Sequence, residues 1–297
     1  MRNRGMSLLE LLVVLAILIL FVAILLPAFA NARGIPARHK CAANLKQLGL
    51  ASTMFAREDP KGLYPTLYAA QTPFVNAEGA TADHSDFLVM PSLDPSDLYP
   101  DYVIDPAAFV CPSLPDHSTF DGRFDAVADA HGRLLDDRGL GLAAKSYMYL
   151  GWALDRITPD DSHESLAILG SAQELTAPAQ LVLGVGPVLD ELKRTENPEL
   201  AQMDIPVPGG LGTGGGTVIH RLREGIERFG VTDINNTAPA ARAEAAIWVL
   251  ADRVRAPQKG SKSGANVLFL DGHVEFVPYE AKAPVTRGMA DFLDALQ

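Results

Sequence analysis

Glu10 is the residue whose surroundings most need a chemical explanation. It lies at the start of an apolar run in which residues 11–26 include no polar side chain. A carboxylate near the centre of a bilayer costs roughly 2.5 to 3.5 kcal/mol, so an acid in such a run usually has a cationic partner. Gly5 lies five positions before Glu10, and Arg2 and Arg4 make the first residues basic. The N-terminus therefore combines a short basic segment, a glycine, an acid and an apolar stretch.

This arrangement resembles the signal of type IV prepilins and of type II secretion pseudopilins. In that family, prepilin peptidase cuts after the glycine and the new N-terminal amine is methylated. The resemblance implies cleavage after Gly5, methylation of Met6 and an assembly role for Glu10. Pro27 also fits the family pattern and is expected to kink the helix. The partners implied are prepilin peptidase, other pilin or pseudopilin subunits, an inner-membrane assembly platform and the lipid bilayer.

Processing of this kind explains how an acid is tolerated in the apolar run. Loss of residues 1–5 removes Arg2 and Arg4 and leaves the amine of Met6 as a cation. Glu10 of a neighbouring subunit is expected to neutralise that amine when subunits stack. Two other interpretations stay open. One is a plain signal anchor, and the other is a secretory signal peptide cut after the Ala-Phe-Ala of residues 28–30, with Asn31 as the mature N-terminus.

The chain has two cysteines, Cys41 and Cys111. They do not form a Cys-x-x-Cys pair, so neither a zinc ribbon nor a thioredoxin-type redox site is supported. A compartment outside the cytoplasmic membrane would permit a disulfide between them. The sequence leaves open the alternative that they are two separate buried thiols.

Three short motifs are similar to those of one prepilin-like subgroup. That subgroup has Cys-x-x-Asn-Leu-Lys-Gln after the membrane helix, then Cys-Pro-Ser, then a histidine followed after nine residues by Asp-Gly. Residues 41–47 match the first motif and residues 111–113 match the second. Asp271 and Gly272 match the end of the third, but Ser261 stands where the histidine is expected. A role for that histidine is therefore not carried over to this chain.

No pattern in the sequence is typical of an enzyme. The seven histidines do not stand at metal-ligand spacing such as His-x-x-x-His, and Gly-x-Ser-x-Gly does not occur. The glycine-rich residues 204–217 lack the lysine and hydroxyl residue of a phosphate-binding P-loop. We expect no catalytic residues, no enzymatic activity and no cofactor.

Calcium is the one ion for which the sequence offers candidate ligands. Asp233, Asn235 and Asn236 carry carboxylate and amide oxygens, which calcium prefers. Their more ordinary role is to cap their own turn, because such side chains bond readily to nearby backbone groups.

Two helical segments are predicted to follow the leader. Residues 6–29 are predicted to be a transmembrane and assembly helix, because about 20 apolar residues span a hydrocarbon core of about 30 Å. Basic residues before the run hold that end in the cytoplasm, so the rest of the chain is expected outside. Residues 30–58 are predicted to continue the helix as an amphipathic segment docked on the head, with Leu45, Leu48 and Phe55 at helical spacing. Gly34 and Pro36 predict a soft joint between the halves.

Residues 59–297 are predicted to form a loop-rich globular head. Residues 266–277 predict an antiparallel hairpin around Asp271 and Gly272, with a primed turn that needs positive φ at both residues. Residues 180–184 and 246–250 are further strand candidates, and residues 219–229 have the apolar spacing of a helix. The predicted fold class is α+β and pilin-like: a long N-terminal transmembrane helix packed on an antiparallel sheet.

Composition and charge limit the function classes. With 48% hydrophobic residues the chain can form a core, and its net charge of −11 and pI near 5.0 oppose binding of the head to nucleic acid. The predicted function is a structural subunit of a type IV pilus-like or type II secretion pseudopilus filament. The predicted location is the inner membrane with the head in the periplasm, then the filament or the cell surface. The alternative is a secreted or membrane-anchored ligand-binding protein that does not polymerise.

Overall fold

The structure is a computed structural model of the chain. It describes residues 8–75, 81–114, 118, 143, 145–169, 175–227, 244–254 and 264–296. Within these ranges, the side chains of residues 9–10, 22–36, 70–86 and 88 are not described.

The first element is one continuous helix, α1, over Leu8–Glu58. The backbone stays helical through Gly34 and Pro36, so the predicted soft joint does not interrupt the helix. A proline inside a helix loses one hydrogen bond and bends the helix without having to end it. The helix ends where the Asp59 carboxylate accepts hydrogen bonds from the backbone of Lys61 and Leu63, at 2.8 and 2.9 Å.

An antiparallel sheet of four strands lies against the second half of α1. Its strands are β3 (Tyr147–Met148), β8 (Trp248–Asp252), β9 (Gly264–Phe269) and β10 (Val274–Pro278), in the order β10-β9-β8-β3. Leu45 and Leu48 of α1 are fully buried in the core that includes this sheet. The predicted docking of the amphipathic segment, and the α+β class with antiparallel strands, are confirmed.

The hairpin between β9 and β10 is present, but its turn differs from the predicted one. Only Gly272 has positive φ, at 83°, whereas Asp271 does not. The turn bond runs from the Gly272 N–H to the Phe269 carbonyl at 2.9 Å, and Leu268 pairs with Val274. The prediction of a primed two-residue turn is therefore wrong. The loop is longer and has a single left-handed glycine at its end, which is the conformation that glycine adopts without steric cost.

The remaining elements form smaller pairs around this sheet. Strands β1 (Leu67–Val75) and β2 (Thr81–Leu93) form a long hairpin, β4 (His163–Ser165) pairs with β5 (Thr176–Pro178), and β6 (Ile205–Pro206) pairs with β7 (Val218–Ile219). Helices α2 (Gly186–Thr195) and α3 (Arg287–Ala295) are the other α-helices whose bounds lie within the described residues. Short 3₁₀ segments are Pro95–Asp97, Pro106–Phe109, Leu166–Leu169, Pro198–Gln202 and Thr213–Gly215.

Two predicted elements of the head have another structure. Residues 180–184 belong to a π-helical turn, Gln180–Val185, that leads into α2, because a short apolar run does not distinguish a buried strand from a buried helical turn. Residues 219–227 form the end of β7, isolated bridges and a turn. Ile219 and Ile226 are both buried as their spacing requires, but Gly225 at φ 77° interrupts any helix between them.

Arg221 connects the segment after α1 to the middle of the head. It is fully buried, and its guanidinium donates hydrogen bonds to the carbonyls of Pro65, Tyr64 and Gly151 and to the hydroxyl of Tyr149. These bonds satisfy the two terminal nitrogens of the guanidinium, whereas its Nε has no hydrogen-bond partner among the described residues. The head is thus held together by a polar centre as well as by its apolar core.

Candidate functional site: the N-terminal signal and the stalk–head junction

The predicted processing site lies mainly outside the described residues. Gly5 and Met6 precede the first described residue, Leu8. Glu10 and Pro27 both lie within α1 with helical backbone, but their side chains are not described. The roles of these four residues therefore stay predictions.

The start of α1 exposes apolar side chains on every side. From Leu8 to Phe21 the described large apolar residues are between 50% and 77% exposed. A helix that is apolar all round is stable only when lipid or protein covers it. Among the residues that the structure describes, no helix is both long enough and apolar enough to span a bilayer.

The second half of α1 is attached covalently to the head. Cys41 and Cys111 form a disulfide with an S–S distance of 1.97 Å and a Cα–Cα distance of 5.1 Å. Both cysteine residues are buried, with Cys41 fully so. Of the two arrangements that the sequence left open, the structure has the bonded one. The disulfide joins helix α1 to the loop that follows the 3₁₀ segment Pro106–Phe109.

The first two subgroup motifs meet at this disulfide. Asn44 lies three residues after Cys41 on the same face of α1, and its amide donates to the carbonyls of Val110 at 3.2 Å and Ala107 at 3.5 Å. The hydroxyl oxygen of Ser113 lies 3.4 Å from the sulfur of Cys41. The motif residues therefore fix the segment around residue 111 against the helix.

A further set of contacts attaches α1 to the sheet. The Asn266 amide on β9 donates to the Arg38 carbonyl at 3.2 Å, and the Arg38 guanidinium lies 4.2 Å from the centre of the Phe276 ring on β10. Near the other end of the helix, the Tyr102 hydroxyl donates to the Glu58 carboxylate at 2.6 Å. Helix and head are thus joined at several points along residues 38–58.

Asp252 is a functional candidate that the sequence analysis missed. It ends β8, where its carboxylate accepts hydrogen bonds from the backbone N–H of Asn266 at 3.0 Å and from the Asn266 amide at 2.7 Å. Burial raises the pKa of Asp252 to about 6, against the opposing effects of these bonds and of the Arg38 charge. One carboxylate oxygen lies 3.9 Å from the sulfur of Cys111. The sequence signal was an acid directly after an apolar strand.

The third motif has a local structural role. The Asp271 carboxylate accepts a hydrogen bond from the His273 backbone N–H at 3.0 Å and lies 2.5 Å from the His273 imidazole. These contacts bridge the β9–β10 turn. Ser261, in the position of the family histidine, lies outside the described residues.

The calcium candidates Asp233, Asn235 and Asn236 also lie outside the described residues, so calcium binding stays a prediction. Among the described residues, one cluster contains three potential metal ligands, and its members are Cys41, Cys111 and Asp252. Its two sulfurs are bonded to each other, so the group is not available as a thiolate metal site in this state.

Comparison with known proteins gives one result, at the N-terminus. Residues 1–26 match the family model of the prokaryotic N-terminal methylation motif. The match is consistent with a type IV prepilin or pseudopilin-like signal. It supports the interpretation of the chain as a type IV pilin-like or pseudopilin family protein. No curated protein and no solved structure matches the chain.

Proposed function

We propose that the protein is a structural subunit of a type IV pilus-like or type II secretion pseudopilus filament. The observation that carries the proposal is the methylation motif at residues 1–26. In this proposal prepilin peptidase cuts after Gly5, and the amine of Met6 is methylated. The function is structural, with no catalytic residues and no required cofactor.

The exposed apolar start of α1 supports membrane insertion followed by assembly. Side chains such as Leu11, Leu18 and Phe21 are more than half exposed, at 57%, 56% and 61%. Exposed apolar area is unfavourable in water by about 25 cal/mol per Å². The apolar run of the sequence continues to Leu26, past the last described side chain of this half of the helix. Residues 6–29 are proposed to lie in the inner membrane first and against neighbouring subunits in the filament.

Glu10 supplies specificity to that assembly. Its carboxylate is proposed to pair with the Met6 amine of the next subunit, because a charge in an apolar environment is stable only with a partner. A subunit inserted in the wrong axial register would leave the Glu10 carboxylate unpaired, and the cost of that unpaired charge opposes such insertion.

The contacts between α1 and the head fit a subunit that bears load. A disulfide and the hydrogen bonds of Asn44 and Asn266 connect the helix to the head. A force applied to the helix is therefore transmitted to the head through covalent and hydrogen-bonded contacts. The head is proposed to lie in the periplasm or at the cell surface, and the inner-membrane assembly platform is the partner proposed to move the subunit into the filament.

The N-terminal sequence and mass of the mature protein from its native host test the processing step. We expect Met6 as the first residue, with the mass increase of one methyl group. An N-terminus at Asn31 would overturn the proposal and favour a secreted binding protein or enzyme.

Replacement of Glu10 tests assembly separately. Glu10→Ala is expected to abolish incorporation into filaments while cleavage after Gly5 continues. The matched control is Lys40→Ala, which removes an exposed charge from the second half of the same helix. Normal incorporation of Glu10→Ala would contradict the assembly model and favour a membrane-anchored protein that does not polymerise.

A further inference from the structure

A pocket of about 340 Å³ opens beside the disulfide. It is lined by residues from α1, from the loop after residue 111 and from the edge of the four-stranded sheet, among them Arg38, Cys111, Lys145, Asp252 and Phe276. Cys111 lines the pocket, whereas Cys41 is fully buried behind it. A reagent in the pocket therefore lies next to Cys111, which is 3% exposed, and not next to Cys41.

Asp252 is placed to exchange a proton with that sulfur. Its carboxylate lies 3.9 Å from Cys111 Sγ, and its oxygen and the two sulfurs all lie within 4.8 Å of one another. It is the only carboxylate among the described residues that line the pocket. The two hydrogen bonds from Asn266 fix its orientation. Among the described residues Asp252 forms no direct ion pair, although the Arg38 charge acts on it at longer range.

The charges around the pocket favour an anionic reagent. The side chains of Arg38 and Lys145 carry positive charge at its rim, and both residues are exposed. Cations beside a thiol also favour its thiolate, which is the reactive form in thiol–disulfide exchange. An external disulfide that bears carboxylates matches this environment.

We propose that this pocket is the site at which an external disulfide oxidises the protein, with Asp252 as the proton acceptor for Cys111 and then for Cys41. The substrate class is a small or protein-borne disulfide. The proposal does not depend on filament assembly, since it concerns how the folded head acquires its own cross-link.

The exchange has two balanced steps. Cys111 gives its thiol proton to Asp252, its thiolate attacks one sulfur of the external disulfide, and the other half leaves as a thiolate that takes the proton from Asp252. Cys41 then gives its proton to Asp252, and its thiolate attacks the Cys111 sulfur. The second half of the reagent leaves and is protonated in the same way. Two electrons pass from the protein to the reagent, and two thiols are released for one disulfide formed.

The acidity of Asp252 fits this role. Burial raises the pKa of its carboxyl to about 6, which makes it a stronger base than an ordinary aspartate and brings it closer to a thiol pKa of about 8.5. The groups that face it are Arg38 from α1, Tyr147 from β3, Asn266 from β9 and Cys111. Below about pH 6 the carboxyl is increasingly protonated, so its contribution to the rate should decline.

Re-oxidation of the reduced full chain in detergent by oxidised glutathione tests the proposal. At pH 7 we expect Asp252→Asn to close the disulfide about 100-fold more slowly than the wild type, the lower end of general acid–base effects. The control Asp190→Asn, an exposed carboxyl-to-amide change on α2, is expected to keep the wild-type rate. The ratio of wild-type to Asp252→Asn rates should fall towards one as the pH is lowered from 7 to 5. Equal rates at pH 7 would overturn the assignment of Asp252.

Two single-cysteine variants keep the test decisive if Asp252→Asn does not fold. Cys41→Ala leaves Cys111 alone, and Cys111→Ala leaves Cys41 alone. The proposal predicts that Cys111 forms the mixed disulfide with glutathione at least tenfold faster than Cys41. Faster reaction of Cys41 would show that the pocket is not the entry point.

Discussion

Arg221 and Asp252 each place charge in the interior of the head, and their partners differ. The guanidinium of Arg221 bonds to neutral oxygens, among them the carbonyl of Pro65 at 2.5 Å. Asp97 is the nearby acid that interacts with it electrostatically, and burial raises the pKa of Asp97 although Thr66 and Arg221 oppose the shift. Asp252 has the hydrogen bonds from Asn266 and the charge of Arg38 to compensate its burial, and its pKa is still raised. Arg221 therefore stabilises the fold, whereas ionisation of Asp252 opposes folding.

Arg221→Met is expected to lower the free energy of unfolding by at least about 3 kcal/mol. The change removes hydrogen bonds from a charged donor to the buried carbonyls of Tyr64, Pro65 and Gly151, and each such bond contributes about 1.5 to 3 kcal/mol. The Pro65 and Gly151 carbonyls keep a second donor, the Tyr149 hydroxyl and the Leu222 N–H respectively. Denaturant titration of the full chain in detergent measures the effect. Arg57→Met is the matched control: Arg57 is 67% exposed and pairs with Glu224 at 3.3 Å, so its loss should cost under about 1 kcal/mol. Equal effects of the two variants would contradict a structural role for Arg221.

Asp252→Asn is expected to stabilise the protein more at pH 7 than at pH 4. The folded-state pKa of about 6 lies above the ordinary value of 3.8, so the folded state binds more protons between these values. Wild-type stability should therefore fall as the pH rises through this window, while the amide does not titrate. The stability difference between variant and wild type should grow by on the order of 2 kcal/mol from pH 4 to pH 7. Denaturant titrations at several pH values measure it, and a constant difference would contradict the pKa assignment.

At the scale of elements, the sequence predicted the parts that have a clear period or a distinctive turn. The apolar spacing of Leu45, Leu48 and Phe55 predicted the docked face of α1, and Asp271 with Gly272 predicted the β9–β10 hairpin. Local pattern did not reveal contacts between distant residues. Asp252 is brought to Cys111 by β8, across 141 positions of sequence, and no local rule reports that approach.

The elements that were predicted wrongly share a physical cause. Leu181 and Val182 in the first segment and Ile219, Leu222 and Ile226 in the second are buried, and burial alone does not choose between strand, turn and helix. In the first case a π-helical turn continues into α2, and in the second Gly225 breaks the helical period. Tertiary packing decides the conformation of such short segments, because it outweighs their intrinsic propensity.

Gly49 lies where α1 packs closely against strand β9. A Cβ atom there would lie 2.5 Å from a methyl carbon of Leu268 on β9. Gly49→Val is expected to destabilise the protein by about 1 to 3 kcal/mol, as overpacking of a core does. The control Ala43→Val places the same β-branched side chain on an exposed position of the same helix, where only a few tenths of a kcal/mol of helix propensity are lost. Thermal or denaturant unfolding distinguishes them, and equal effects would mean that α1 shifts to accommodate the new side chain.

At the scale of the whole molecule, the two halves of α1 have different surroundings. Its first half has no apolar partner among the described residues and exposes side chains from Leu8 to Phe21. Its second half contributes Cys41, Leu45 and Leu48 to the core of the head. The boundary between the exposed apolar surface and the globular head thus falls within a single helix and not between two elements. It follows that the head should fold without the first half of α1 but not without the second.

Two truncations test this division. A chain of residues 37–297 keeps Cys41, Asn44 and the buried leucines of α1, and it is expected to be a soluble monomer with an intact disulfide. A chain of residues 53–297 loses all of these and uncovers β8 and β9, so it is expected to aggregate or to lack fixed tertiary structure. Light scattering after gel filtration, near-ultraviolet circular dichroism and thiol titration report the outcome. Aggregation of the longer chain would show that another apolar surface of the head needs a partner. A folded, monomeric shorter chain would show instead that the second half of α1 is only attached to the head and does not belong to its core.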